Sequence, residues 1–202
     1  MSPYAPSDDA PLTPLKIVIA GGFGVGKTTM VGAVSEIEPL TTEETLTIAS
    51  AGLDRLDGID RKATTTVTMD FGRITFPAHG LVLLLFGTPG QERFWFMWDD
   101  LAHGAVGGIV LVDTRRLQDA FPAVEFFERR ATPFLIAVNH FDGTHRYTPL
   151  EVREALGLRA DTPVLTCDAR SRESARAVLT ALVGHAQRLA VPHRPLPSAS
   201  PA

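Results

Sequence analysis

Short, almost wholly apolar runs alternate with stretches of helical period along the middle of this chain. The runs at residues 15–20, 81–86, 107–112 and 134–138 lack strict in–out alternation and read as strands buried on both faces. Residues 164–167 form a shorter one. Helical patterns fall at about 27–37, 119–130, 149–156 and 171–190. The last places Ala175, Val178, Leu179, Leu182, Val183 and Leu189 on one face. The third has clear end signals: Thr148 as N-cap, Pro149 at the first position, Glu151 completing a capping box, and Gly157 as the stop. Residues 67–74 read as an edge-like strand, joined by a turn at 77–80 to the run at 81–86. Residues 39–65 are polar and Thr-rich with no secure period, and read as a long functional loop. The alternation predicts an α/β fold with a mostly parallel six-stranded sheet, one antiparallel edge strand, and helices on both faces.

Bulk properties narrow the classes. At 202 residues the chain suits one domain. Residues 1–14 carry four prolines and 191–202 are similar, so both read as disordered arms flanking a folded unit at 15–190. A net charge of −4 gives no general drive toward nucleic acid. The single cysteine, Cys167, excludes an internal disulfide and fits a reducing compartment. The acidic, Pro-rich N-terminus does not resemble a secretion signal, no apolar run is long enough to span a bilayer, and the C-terminus has no prenylation cysteine. These features predict a cytoplasmic protein without an integral membrane segment, with any recruitment to a membrane complex left to partners.

The first chemical motif is Gly21-Gly22-Phe23-Gly24-Val25-Gly26-Lys27-Thr28, with Thr29 following. It satisfies the phosphate-loop pattern, and a buried strand precedes it while a helix follows. Glycines let successive backbone N–H groups point at phosphate oxygens, and the helix start adds partial positive charge. Lys27 would reach the β- and γ-phosphates, and the Thr28 hydroxyl would bind magnesium. The loop alone does not choose between ATP and GTP.

A second motif, Asn139-His140-Phe141-Asp142, leaves the C-terminal end of a predicted strand, where ligands bind in open α/β sheets. It resembles the guanine-reading Asn-Lys-x-Asp motif, with His140 replacing the lysine. The resemblance implies that Asp142 accepts from guanine N1–H and the 2-amino group, and that Asn139 ties this loop to the phosphate loop. His140 either stacks on the base in place of the lysine stem or leaves it uncovered. Cys167, Asp168 and Ala169 stand where the family has its Ser-Ala-Lys-type turn behind the base.

Gly87-Thr88-Pro89-Gly90-Gln91-Glu92-Arg93-Phe94 resembles the second switch of Ras-like and Rab-like GTPases. By that resemblance the Gly90 amide contacts the γ-phosphate and Gln91 positions the attacking water. Gly87 replaces the family aspartate that holds magnesium through a water, so weak magnesium retention and slow hydrolysis are expected. The Gly87 replacement and the Thr-Pro-Gly-Gln wording resemble the bacterial gliding-motility (MglA-type) GTPases and those encoded in actinobacterial conservon operons, and the aromatic run Phe94, Trp95, Phe96, Met97 and Trp98 and the later stretch Leu111 to Arg116 look conservon-like. For the first switch, Thr66 matches the magnesium-binding threonine, with Thr65 and Thr64 as substitutes, and Arg61 is a candidate cis arginine finger. The resemblance, over residues 15–190, implies a GTP/GDP- and Mg²⁺-binding switch that hydrolyses GTP. It also implies a Roadblock/LC7-type regulatory partner docking near the aromatic run, at which five large side chains in a row cannot all face inward. Two rivals remain: a nucleotide-gated binding module with negligible turnover, and a P-loop ATPase.

Overall fold

In the computed structural model, which describes residues 11–47, 64–90 and 92–190, seven strands form one sheet in the order β2-β3-β4-β1-β5-β6-β7. The strands are β1 (Thr13–Ala20), β2 (Leu40–Thr47), β3 (Thr64–Phe76), β4 (Leu81–Gly87), β5 (Ala105–Val112), β6 (Phe134–Asn139) and β7 (Val164–Cys167). Strands β4, β1, β5, β6 and β7 pair in parallel, whereas β2–β3 and β3–β4 are antiparallel. The expected class therefore holds: a mostly parallel sheet, an antiparallel edge, and helices on both faces. The sheet gains one strand over the expected six, because residues 40–47 lie within the stretch read as a loop. They pair residue by residue with 64–71 of β3.

Period-2 alternation explains why the sheet is covered twice. In β1, Ile17 and Ile19 point into one core with Leu83, Leu85, Ile109 and Leu135, under α1 (Lys27–Val34) and α5 (Arg172–Ala190). Val18 and Ala20 point into the other core with Val110, Ile136 and Phe127, under α3 (Phe121–Arg129) and α4 (Pro149–Ala155). A short helix, α2 (Trp98–Ala102), adds Trp98 to that second core. Each large aliphatic side chain buried this way contributes about 1.5–3 kcal/mol. The Thr148–Glu151 capping box forms as its sequence implies: the Glu151 N–H donates to Thr148 Oγ1 at 3.3 Å, and the Thr148 N–H donates to Glu151 Oε2 at 2.7 Å.

The parallel strands all end at one edge of the sheet. That edge carries the loop after β1, the 87–90 segment after β4, the turn after β5, and the loops after β6 and β7. Five loops converge there, which is where an open α/β sheet binds ligands.

Packing density tests this arrangement. A Cβ on Gly108, in β5, would lie 2.2 to 2.7 Å from the Phe127 ring. Gly108→Ala should therefore destabilise the fold by about 1–3 kcal/mol. Gly184→Ala, in the interior of α5, meets only Arg188 Nη1 at 3.5 Å and should stabilise by up to about 1 kcal/mol. Chemical denaturation of both variants checks the pair; equal midpoints would contradict the packing.

Candidate functional site

The phosphate loop gets its shape from backbone that only glycine tolerates. Gly21 and Gly26 have φ of +140° and +105°. Each also sits too close to a neighbour for a side chain: a Cβ would stand 2.4 Å from the Leu111 carbonyl oxygen at Gly21, and 2.7 Å from Asn139 Nδ2 at Gly26. Gly26 leads directly into α1, so the amides of that helix start face the loop's concavity. From outside, Arg116 Nη2 donates to the Phe23 carbonyl at 2.8 Å. Val25 is buried, while Phe23, Gly24, Thr28 and Thr29 are exposed.

Lys27 is buried, and its ammonium donates to the Gly21 and Gly22 carbonyls at 2.9 and 2.8 Å. Burial pulls its pKa down to about 8, against the opposing field of Asp70. Gly90 stands over it: a Cβ there would be 2.8 Å from Lys27 Nζ and 3.0 Å from Phe23 Cα. The second-switch glycine thus packs directly on the phosphate loop.

Asp70 is the site residue that motif reading missed. It lies on β3 in register with Gly87 of β4, and it is buried. Thr28 Oγ1 donates to Asp70 Oδ2 at 2.7 Å. A Cβ on Gly87 would come within 2.9 Å of that same oxygen. A carboxylate thus reaches Thr28 from the neighbouring strand, and Gly87 is the residue that leaves room for it. Asp70 Oδ1 and Thr88 Oγ1 are buried without a partner among the described residues. A buried carboxylate oxygen left over beside a threonine hydroxyl fits a hard divalent cation. The sequence carries only a weak hint of it, an aspartate inside a Thr-rich strand, because its placement depends on the β3–β4 register.

Asn139, at the end of β6, is buried and bridges two loops. Its Nδ2 donates to the Val25 carbonyl at 2.9 Å, and its Oδ1 accepts from the Ala169 N–H at 2.9 Å. It locks the 139–142 loop to both the phosphate loop and the turn after β7. His140 Nε2 lies 2.9 Å from Arg146 Nη2, so its ring is held by that guanidinium. Arg115 stacks its guanidinium 3.9 Å from the centroid of Phe141 and forms a fork with the buried Asp113. Asp142 is exposed and paired with Arg170, whose hydrogen bonds hold the carboxyl below its ordinary range. Burial pushes the Cys167 thiol up to about 12, which makes it unreactive packing. A groove of about 460 Å³ is lined by Asn139, His140, Tyr147, Cys167 and Asp168.

A family model described as a conserved hypothetical ATP binding protein matches residues 19–189. The chain belongs to this family. Members of the ATP-binding-protein family share with this chain the span from the phosphate loop to the last helix. An uncharacterised protein of Methanocaldococcus jannaschii is 27% identical over 130 residues, which is 63% of this chain and 71% of that one. Among solved structures, the G domain of the T. maritima FeoB iron transporter superposes with a TM-score of 0.60 at 19% identity, covering 87% of this chain and 100% of that one. The Methanococcus jannaschii FeoB G domain gives 0.58 at 13%, covering 87% and 99%. The T. maritima FeoB cytosolic domain in a GDP form gives 0.62 at 17%, covering 88% of this chain and 65% of that one. These likenesses establish the fold of a G domain, and with the family match they make the chain a nucleotide-binding P-loop protein.

Arg61 and Gln91 lie outside the described residues. The Thr66 backbone pairs with Thr45 inside β3, four positions before Asp70, which is about 13 Å along a strand. In the aromatic run, Phe94 and Trp98 are buried and Phe96 is exposed; the Trp98 indole donates to the Pro89 carbonyl at 3.2 Å. The run is thus largely core and offers one aromatic side chain, not a broad patch.

The Lys27 environment gives a pH prediction. Nucleotide phosphates favour the ammonium, so binding takes up a proton once the free site has lost one. GDP affinity should be level below pH 8 and fall above it, approaching about tenfold per pH unit. Calorimetry in buffers of different ionisation enthalpy measures the uptake. A level affinity from pH 7 to 9.5 would contradict the assigned burial.

Proposed function

We propose that this chain is a guanine-nucleotide-binding switch that hydrolyses GTP slowly, in the manner of the gliding-motility and conservon-encoded GTPases it resembles. The observation that carries the reading is Asp142, on a loop that Asn139 fastens to the phosphate loop and to Ala169. A carboxylate there accepts from guanine N1–H and the 2-amino group, whereas adenine offers neither donor. The family description names ATP, which keeps an adenine nucleotide as the second reading.

The chain's own groups account for binding and for most of the positioning. Phosphate-loop amides and the start of α1 hold the β-phosphate, and Lys27 neutralises charge toward the γ-phosphate. Thr28 and Asp70 would hold Mg²⁺, which supplies further charge neutralisation on the β- and γ-oxygens when bound. Gln91 would orient the attacking water and the Gly90 amide would meet the γ-phosphate, with Arg61 as a cis cation and Thr66 as a ligand of the loaded state. Because Gly90 rests on Lys27, a γ-phosphate has to lift or re-aim it. That is the physical content of the switch: one segment, two contact sets.

Competition binding separates the base readings. The unmodified chain should prefer GTP to ATP by about 10²-fold or more, and Asp142→Asn should lose GTP and gain XTP. Equal ATP and GTP binding would overturn the guanine reading in favour of ATP.

The metal assignment has its own test. Asp70→Ala should raise the magnesium concentration needed to retain GDP by about 10- to 100-fold. An unchanged magnesium requirement would remove Asp70 from the site.

A further inference from the structure

The guanine reading requires Asp142 to be available to a base, yet its carboxylate is paired with Arg170. Arg170 lies across it, donating Nη1–H to Asp142 Oδ2 at 2.9 Å and Nη2–H to Oδ1 at 3.2 Å. The opposite edge of the same guanidinium grips Asp168: Nε donates to Oδ1 and Nη2 to Oδ2, both at 2.9 Å. The Arg170 backbone N–H also donates to Asp168 Oδ1 at 2.9 Å.

These two forks are not equivalent. The Asp168 fork is local, spans two positions, and is backed by the main chain. The Asp142 fork joins two loops 28 positions apart and has no such backing. Whatever pulls on this triad should break the Asp142 fork first and leave Arg170 on Asp168.

Guanine is the ligand built to do that. A guanidinium offers a carboxylate two parallel N–H donors in one plane, and the N1–H and 2-amino edge of guanine offers the same pair. Both cannot occupy Asp142 together. We infer that Arg170 is an internal stand-in for guanine, a specificity-tuning residue that competes for Asp142 and must retreat onto Asp168 whenever a guanine base enters. The inference rests on the assignment of Asp142 as the base reader.

The consequences are specific to the base. Every guanine nucleotide exchanges a charged fork for a neutral one, which lowers its affinity. Adenine does not use Asp142 and gains nothing from the fork's removal. Both partners of the Asp142 fork are solvent-accessible, with 79% of the Asp142 side chain and 55% of the Arg170 side chain exposed, so salt screens the competition.

The test measures GDP and ADP affinity by calorimetry on the full chain, for the unmodified protein, Arg170→Gln and Arg170→Lys, at 0.05 and 0.5 M NaCl. Glutamine should tighten GDP by about two- to fivefold at low salt, the upper range for an exposed ion pair. Lysine, which keeps the charge but not the fork, should tighten it less. ADP should be unchanged, and the gain should shrink at high salt. If the unmodified chain prefers GDP to ADP and Arg170→Gln leaves GDP binding equal or weaker, Arg170 is not a competitor and the inference falls alone. If the unmodified chain binds ADP as tightly as GDP, the reading of Asp142 falls, and the inference with it.

Discussion

Keeping an ammonium out of water beside a phosphate site is the constraint on which the ligand-binding edge depends. Lys27 is buried, so its charge has to be met by protein groups, and the nearest are the Gly21 and Gly22 carbonyls. Those carbonyls can turn toward it because the loop's glycines adopt left-handed backbone. Asp70 supplies the opposite charge at longer range, and it fits because position 87 has no side chain. The loop, the strand-borne carboxylate and the second-switch glycine are thus one electrostatic unit. Changing any of them alters the environment of the same nitrogen.

The parallel strands and the helices above them were legible because burial on both faces leaves uninterrupted apolar runs, which polar loops bracket sharply. The phosphate loop and the Asn139 loop were legible because their residue types have no packing purpose. β2 was not legible: residues 40–47 carry three threonines and two glutamates between Leu40 and Leu46, and lack the apolar alternation that announces a strand. Their pairing is decided by β3, which extends past the sheet to residue 64 and offers an unpaired edge. Asp70 was hidden for a related reason. Motifs are read along the chain, and its role exists only across the β3–β4 register that sets it opposite Gly87. Arg170 was likewise beyond reach, since its partners are fixed by side-chain placement at the β6 and β7 ends.

The base-side loops show how a few buried hydrogen bonds can organise exposed groups. Asn139 spends both ends of its amide on backbone partners, one in each flanking loop. His140 and Asp142 then project from a loop that these two bonds tie down. Phe141 is pinned from the other side by Arg115, whose guanidinium is held by the buried Asp113.

The Asn139–Val25 hydrogen bond also says something about when this protein becomes competent during its synthesis. It joins residues 114 positions apart, and it braces the phosphate loop from a strand that emerges long after the loop itself. Chains leaving the ribosome expose the loop early, but its brace arrives only when β6 has been made and docked beside β5. A nascent or truncated chain ending before β6 therefore presents the glycines and Lys27 without the contact that holds them in shape. A braced phosphate loop is in this sense a late product of translation, and a nearly complete domain is the first species to possess it.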